Sequence, residues 1–172
     1  MGANYYATSL IYDPEICLRT TMVAAQENAV PLSRLVFEVV ETEQIPNMQK
    51  LKRILEYYRT HGVGTAVDDM DAGYSSLQYL TALQPDFVKI DRDLVVRAEL
   101  EKEARKKMDL IVSQAKSLGI AVIAEGIETP EQLHLCREAG TDFLQGYLFG
   151  LPANPPALSL GELGIFPGAA RR

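Results

Sequence analysis

The fold is decided by the stretch Val67–Leu77, which reads VDDMDAGYSSL. An apolar strand pattern there runs directly into two adjacent carboxylates, followed by a glycine and the start of a helix. Successive strand residues point to opposite faces of a sheet, so Asp68 and Asp69 can serve one site only if the strand ends there and the backbone turns. Strand ends carry the chemistry in parallel α/β folds. A solvated acidic loop that caps a helix is the alternative, and this stretch alone favours it.

The composition is that of an ordinary globular chain with an acidic balance. Its 172 residues are enough for one domain, and 47% of them are apolar while 23% are charged. The net charge of −6 and the absence of a long Lys/Arg run argue against a DNA or RNA polymer as a partner. A small phosphorylated ligand is still compatible with this charge, because bound cations could neutralise both sides.

The sequence has no pattern typical of membrane or secreted proteins. No stretch approaches the roughly 18 apolar residues of a membrane span, and the first residues have no basic and apolar leader pattern. Cys17 and Cys136 lie in helix-like apolar patterns without metal-site spacing, so we expect buried free thiols. These features predict a cytoplasmic chain with no membrane partner.

Strand and helix patterns alternate five or six times along the chain. The predicted strands cover about residues 3–8, 35–41, 65–67, 87–91, 121–126 and 142–149. One long helix is predicted over about residues 94–118, and a capping box at Thr129 begins another that ends near Gly140. This order is typical of an α/β protein with a parallel sheet and right-handed crossovers.

Each predicted strand carries polar residues near its carboxyl end. They are Asn4, Glu38, Asp68 with Asp69, Lys89, Glu125 and Gln145. One such residue is usually a satisfied core polar group, but packing does not explain why all the strands share the feature. Carboxylate and amide oxygens suit hard ions such as Mg²⁺ or Mn²⁺. Two ions sharing Asp68 and Asp69 would lie about 3.5–4 Å apart, the layout for in-line attack on a phosphodiester, with Lys89 orienting a water or stabilising the oxyanion.

Five motifs resemble, in order, those of the EAL domain family, whose members are bacterial phosphodiesterases and receptors for cyclic di-GMP built on a TIM-type (β/α) barrel. The motifs are EVVE at 38–41, DDMDAGYSSL at 68–77, VKID at 88–91, AEGIET at 124–129 and QGYLF at 145–149. Together they cover nearly the whole chain. The resemblance implies a cytoplasmic signalling module that hydrolyses cyclic di-GMP to linear pGpG with Mg²⁺ or Mn²⁺.

The resemblance also implies a role for individual residues. The implied metal ligands are Asn4, Glu38, Asp68, Asp69 and Glu125, and the implied catalytic residues are Lys89, Glu125 and Asp69. Lys89 and Glu125 would handle the attacking water. Supporting roles fall to Glu41, which would hold the loop after Asp69, and to Glu128 and Gln145.

One departure from the family is that the sequence contains no Glu-Ala-Leu segment, whose glutamate is a metal ligand in the family. Because a full barrel runs to about 250 residues, we expect an N-terminally truncated, incomplete TIM-type barrel that lacks the first strands. The partial domain would cover residues 1–152, with an irregular tail over 153–172. Weak or lost phosphodiesterase activity is expected. An open sheet edge is a pairing site, so a homodimer is expected through that edge or through the loop after Asp69.

A second departure lies in that loop, which in the family usually reads Phe-Gly-Thr-Gly. Here it is Met70-Asp71-Ala72-Gly73, so an aspartate replaces the first glycine and the threonine hydroxyl is gone. The loop couples metal binding to dimer contacts in the family. Both departures favour an alternative function, a catalytically degenerate cyclic di-GMP receptor or a dimerisation module. A phosphorelay receiver is disfavoured, because its acidic pair normally opens the domain.

Overall fold

The computed structural model of the chain describes residues 2–5, 14–40, 48–71 and 74–152. Its six strands are β1 Gly2–Tyr5, β2 Val36–Val40, β3 Gly64–Met70, β4 Phe87–Ile90, β5 Ala121–Ala124 and β6 Phe143–Leu144. Its α-helices are α1 Pro14–Glu27, α2 Met48–Thr60, α3 Tyr74–Leu83, α4 Arg92–Leu100, α5 Lys102–Ser117 and α6 Pro130–Ala139. Short 3₁₀ turns cover Leu32–Arg34 and Tyr147–Phe149.

The strands form one parallel sheet in which the spatial order follows the chain order. This confirms the predicted α/β class. In the described part of the chain, β1 and β6 each have a single neighbouring strand, so the sheet is open like an incomplete barrel. The carboxyl ends of all strands lie at one edge, because parallel strands in sequential order place them there.

The hydrophobic core lies between the sheet and the helices. In β4 the alternate residues Val88 and Ile90 are fully buried, whereas Phe87 and Lys89 point to the opposite face. From α2, the buried side chain of Tyr58 stacks on Phe37 of β2 with ring centroids 4.2 Å apart. Each fully buried large side chain of this kind stabilises the fold by about 1.5–3 kcal/mol.

The boundaries of α6 follow the predicted signals. The Thr129 hydroxyl accepts a hydrogen bond from the Gln132 backbone N–H, and the Gln132 side chain accepts in return from the Thr129 N–H. Gly140 ends the helix with φ +87°, a left-handed conformation that glycine adopts without strain. The capping box and the glycine end are therefore confirmed.

The single long helix predicted over residues 94–118 is wrong. Glu101 has extended backbone angles, φ −124° and ψ 122°, and separates α4 from α5. Buried Ala98 and the next buried residue, Ala104, are six positions apart, which on a continuous helix would put them about a third of a turn from one another. The break at Glu101 lets the buried residues of both helices join the hydrophobic core.

The last strand is much shorter than predicted. Only Phe143–Leu144 pairs in the sheet, and the chain then passes Gly146 into the 3₁₀ turn. A Cβ on Gly146 would overlap the backbone of Ile127, so the chain can approach Ile127 this closely only with glycine at position 146. Gln145 consequently follows the strand and is not inside it.

Several predictions concern residues whose structure lies outside the description. These are the strand extension at 6–8, the side chain of Asn4, the thiol of Cys17, residues Glu41, Ala72 and Gly73, and the tail 153–172. The domain boundary at residue 152 therefore stays a prediction. Cys136 is a buried free thiol, as expected. In the ranges that the structure covers, no helix is both long and apolar enough to cross a membrane.

Candidate active site

A bulge in β3 brings the two adjacent aspartates to one site. The expectation that the strand ends at this pair is wrong, because β3 continues to Met70, which pairs with Ile90 of β4. The register between β3 and β4 shifts between Val67 and Met70, and Asp69 takes φ +56°. The extra residue of a bulge breaks the strict alternation of side chains, so Asp68 and Asp69 can face the same site.

Lys89 lies among three carboxylates at the carboxyl edge of the sheet. Its Nζ is 2.8 Å from Glu125 Oε1, 2.9 Å from Asp68 Oδ1 and 3.2 Å from Glu38 Oε2. The lysine side chain is only 9% exposed. The predicted convergence of Glu38, Asp68, Lys89 and Glu125, which come from β2, β3, β4 and the end of β5, is present in the structure.

Burial and mutual repulsion perturb the carboxyl groups. Burial raises the pKa of Glu38 and of Glu125, although the neighbouring Lys89 opposes this rise in both cases. Asp69 is an exposed residue, but partial desolvation of its carboxyl group raises its pKa, and the negative charges of Asp68 and Asp91 raise it further. Burial alone would lower the pKa of Lys89, but hydrogen bonds to Glu125 and Asp68 reverse that and raise it, so Lys89 stays charged.

The carboxylates fit a hard divalent cation. Ligand oxygens of Asp68, Asp69 and Glu125 all lie within 4.8 Å of one another. Four carboxylates share the site with the single ammonium of Lys89, so negative charge is in excess. Carboxylate oxygens are the donors that Mg²⁺, Mn²⁺ and Ca²⁺ prefer, and a bound cation would relieve the repulsion that raises these pKa values.

Two of the predicted metal ligands stand apart from this trio. Glu38 contacts Lys89 from β2, next to the trio. Asn4 lies in β1 directly across from Glu38 in the register of the sheet, which puts its backbone on the strand beside the cluster. Their assignment as ligands stays a prediction.

The predicted supporting residues surround the turn that follows β5. The backbone N–H of Gln145 donates to Ala124, and its carbonyl accepts from Ile127, so this segment holds the turn that presents Glu125. Glu128 is paired with Arg92, whose Nη2 is 3.0 Å from Glu128 Oε1. The supporting roles of Gln145 and Glu128 stay predictions. The structure shows the hydrogen bonds and the ion pair that fix the position of each residue.

A pocket of about 470 Å³ opens next to Glu125. It is lined by Arg92, Glu125, Gly126, Glu128, Gln145, Gly146 and Tyr147. Arg92 and Tyr147 were missed from the sequence. Arg92 directly follows Asp91 at the carboxyl end of β4, so its position at a strand end was a usable signal, whereas Tyr147 requires the short β6 and the turn after it.

The loop after Asp69 begins later than predicted. Met70 is the fully buried last residue of β3, so its placement in the loop is wrong. Asp71 follows the strand and forms an ion pair with Arg97 of α4, with 3.1 Å between Asp71 Oδ2 and Arg97 Nη2. The proposed dimer role of this loop stays a prediction.

Curated relatives share the sequence over this region. The sequence profile of the EAL domain matches residues 4–152. "Cyclic di-GMP phosphodiesterase PdeL" of Escherichia coli K12 is 37% identical over 119 residues, which is 69% of this chain and 33% of the relative. "Cyclic di-GMP phosphodiesterase NbdA" of Pseudomonas aeruginosa is 37% identical over 124 residues, 72% of this chain and 16% of the relative. The chain thus spans a third or less of the length of these two relatives.

Solved structures share the fold. BlrP1 of Klebsiella pneumoniae, in a complex with manganese and cyclic di-GMP, superposes with a TM-score of 0.79 at 32% identity, over 88% of this chain and 38% of that one. A standalone EAL protein of Vibrio cholerae O395, bound to cyclic di-GMP, gives a TM-score of 0.73 at 34% identity, over 81% of this chain and 59% of that one. With the profile match, these likenesses show that the chain belongs to the EAL domain family, and that its open sheet is part of that family's TIM-type barrel.

Proposed function

We propose that the chain is a cyclic di-GMP module of the phosphodiesterase type. The supporting observation is the convergence of Asp68, Asp69 and Glu125, with ligand oxygens within 4.8 Å of one another, beside the buried Lys89. Relatives at 37% identity carry the name cyclic di-GMP phosphodiesterase, and similar solved structures hold cyclic di-GMP with manganese or calcium.

The position of each residue in the site indicates its proposed role. Asp68, Asp69 and Glu125 would hold a divalent ion, Mg²⁺ or Mn²⁺ in our proposal, with Glu38 and Asn4 next to them on β2 and β1. When bound, the ion would polarise the phosphodiester and acidify a water molecule. Lys89 donates hydrogen bonds at the centre of the cluster and would stabilise negative charge that develops on the phosphate oxygens.

Glu125 is the proposed general base. Its carboxylate is partly exposed toward the pocket of about 470 Å³, where substrate can reach it. It accepts a proton from water as the water oxygen forms a bond to phosphorus. The bond from phosphorus to one ribose 3′ oxygen breaks, that oxygen takes up a proton, and linear pGpG results.

We expect weak turnover from these 172 residues, since they contain no Glu-Ala-Leu segment. Loss of a residue that only supports a metal ligand already costs about 10–100-fold, and loss of a ligand itself should cost at least as much. Incubating the purified chain with cyclic di-GMP and Mg²⁺ or Mn²⁺, and measuring pGpG by chromatography, tests the proposal. Slow, metal-dependent conversion that disappears in Asp69→Asn but survives in the remote control Asp109→Asn supports it, whereas brisk conversion contradicts the weakened activity.

The receptor alternative is separated by calorimetry with the nucleotide. It is favoured by Asp71, which stands where the family loop has glycine. Binding without any pGpG formation would favour the receptor, and no binding at all would contradict both proposals.

We propose a homodimer through the open sheet edge or through the loop after Asp69. Phe143 of β6 is 53% exposed, and its ring lies 6.2 Å from that of Phe87 on β4. Sedimentation velocity at several concentrations tests this proposal, and a monomer throughout would contradict it.

The free thiol of Cys136 supports a reducing compartment, and we propose the cytoplasm. Cell fractionation tests that location.

A further inference from the structure

We propose that Arg97 is a positioning residue for the Asp68–Asp69 bulge, and that it acts through its ion pair with Asp71. The inference rests on the proposed metal site, because its consequence is the placement of Asp69. Among the residues that the structure describes, Arg97 has no hydrogen bond or ion pair with a proposed ligand. It lies in the last turn of α4, on an element that the sequence patterns do not link to β3.

The bulge needs support on both of its sides. Asp69 adopts φ +56°, a conformation that costs a non-glycine residue free energy and persists only when its surroundings impose it. On one side, the Asp69 N–H donates to Asp68 Oδ1 over 3.0 Å. On the other side, Met70 is fully buried and pairs with Ile90.

Asp71 is the next residue and the first one beyond the strand, and its anchor is Arg97. The Arg97 Nη2 to Asp71 Oδ2 distance is 3.1 Å, and Arg97 Nε also donates to the backbone carbonyl of Asp93 over 3.3 Å. The guanidinium is therefore fixed to its own helix and to the loop. Glycine, which the family loop has at this position, offers no side chain for such a pair.

Helix α4, which carries Arg97, is anchored in the hydrophobic core. Its Leu94 and Val95 are fully buried and its Ala98 is nearly so. The first turn of the same helix carries Arg92, which holds Glu128 in the turn after β5. Helix α4 thus reaches with one arginine to each of the two turns that present the proposed ligands Asp69 and Glu125.

The test compares Arg97→Ala, Arg97→Lys and the control Arg105→Ala. Arg105 forms a similar half-exposed pair with Asp109 on α5, outside the site. Two quantities are measured on the full chain: deuterium exchange of the peptide spanning 68–71 without metal, and the dissociation constant for Mn²⁺ by calorimetry. For Arg97→Ala we expect exchange to quicken and Mn²⁺ affinity to fall, each by about two- to fivefold, the range for a half-exposed ion pair.

The sign of the change in Mn²⁺ affinity separates positioning from simple charge. Removing a cation near the site would by Coulomb's law strengthen the binding of a dication, whereas loss of positioning weakens it. Arg97→Lys should restore the affinity to within about twofold of the unsubstituted chain, since one N–O contact carries the pair. Arg105→Ala should leave both quantities unchanged.

Unchanged exchange in Arg97→Ala would overturn the inference, and so would tighter or equal Mn²⁺ binding despite quicker exchange. Failure of the unsubstituted chain to bind Mn²⁺ would overturn the proposed metal site itself, and the inference with it. The exchange measurement, made without metal, distinguishes that failure from a failure of the Arg97 anchor alone.

Discussion

Two ionic clusters in the molecule each pair one cationic side chain with several carboxylates, but one cluster is largely buried and the other is exposed. The first places Lys89 against Glu38, Asp68 and Glu125, with the lysine side chain 9% exposed. The second, the Arg105 cluster, places Arg105 against Asp109 at 3.2 Å and Glu138 at 3.7 Å, with the arginine 30% exposed and both carboxylates about half exposed.

The difference between these clusters indicates where function lies. Taking charges out of water is costly, and burial raises the pKa of Glu38 and Glu125 in the Lys89 cluster. Solvated pairs such as those of Arg105 contribute only about 0–1 kcal/mol. A fold that needed only stability would be served by apolar residues at Lys89 and its partners, so a buried excess of carboxylates indicates a binding or catalytic role.

The largest expected effect is that of Lys89→Met. Removing the ammonium leaves the buried carboxylates of Glu38 and Asp68, and the partly exposed one of Glu125, without their counter-charge. The free energy of unfolding should therefore fall by about 3–5 kcal/mol. Urea unfolding at pH 7 measures it. The control Lys106→Met breaks an exposed pair with Glu103 and should cost no more than about 1 kcal/mol. Equal losses in the two variants would remove the distinction between the clusters.

The next effect concerns Cys136, which is buried close to the Arg105 cluster. Burial raises the pKa of its thiol from the ordinary 9.0 to about 11, against the opposing influence of Arg105. At pH 8 the thiolate is therefore about a hundredfold scarcer than for an ordinary cysteine, and alkylation should slow by at least that factor. Because the folded chain holds this proton more tightly, the free energy of unfolding should fall as pH rises from 9 toward 11.

The rate is measured with iodoacetamide in a Cys17→Ser background, which isolates Cys136, and is compared with the same chain in guanidinium chloride. Similar alkylation rates in the folded and the denatured chain would show that the Cys136 thiol is not buried in the fold.

A smaller effect is expected for Gly146→Ala, in the lining of the pocket beside Glu125. The added Cβ would overlap the backbone of Ile127, which cannot move like a flexible side chain. We expect a loss of about 1–3 kcal/mol in the free energy of unfolding. The control Gly119→Ala has open space for the Cβ but a φ of +72°, so thermal unfolding of both variants separates crowding from backbone strain. A Gly146→Ala variant as stable as the parent would contradict the close approach.

The smallest effect is that of Arg105→Ala in the exposed cluster. Its two solvated pairs join α5 to itself and to α6, and their loss should cost less than about 1 kcal/mol. High salt should reduce even that difference, because screening weakens exposed pairs first. A loss above 2 kcal/mol, unaffected by salt, would mean that exposure is a poor guide to the importance of these clusters.

Local chemistry made much of the fold predictable. The capping box at Thr129 and the glycine at 140 act within a few residues, so the ends of α6 could be predicted without tertiary information. The convergence of Lys89 with Glu38 and Glu125 was also predictable, because polar residues at the ends of parallel strands must meet at one edge.

Tertiary packing decided what the sequence left open. The break at Glu101 is not marked by a proline or glycine, and it allows the buried residues of α4 and of α5 to join the same core. The bulge at Asp69 depends on pairing with β4, and the strand therefore runs past the acidic pair. The pairs of Arg92 with Glu128 and of Arg97 with Asp71 join residues 36 and 26 positions apart, beyond any local pattern.

The most direct test of the central claim is a calorimetric titration of Mn²⁺ into the chain and into Asp69→Asn. Asp69 is exposed, so the substitution should leave the fold intact while it removes one of the three clustered ligand oxygens. We expect saturable binding by the unsubstituted chain and by the control Asp109→Asn, and at least a tenfold weaker affinity in Asp69→Asn. Equal binding by all three proteins, or none by any, would contradict a metal site at the Asp68–Asp69 bulge.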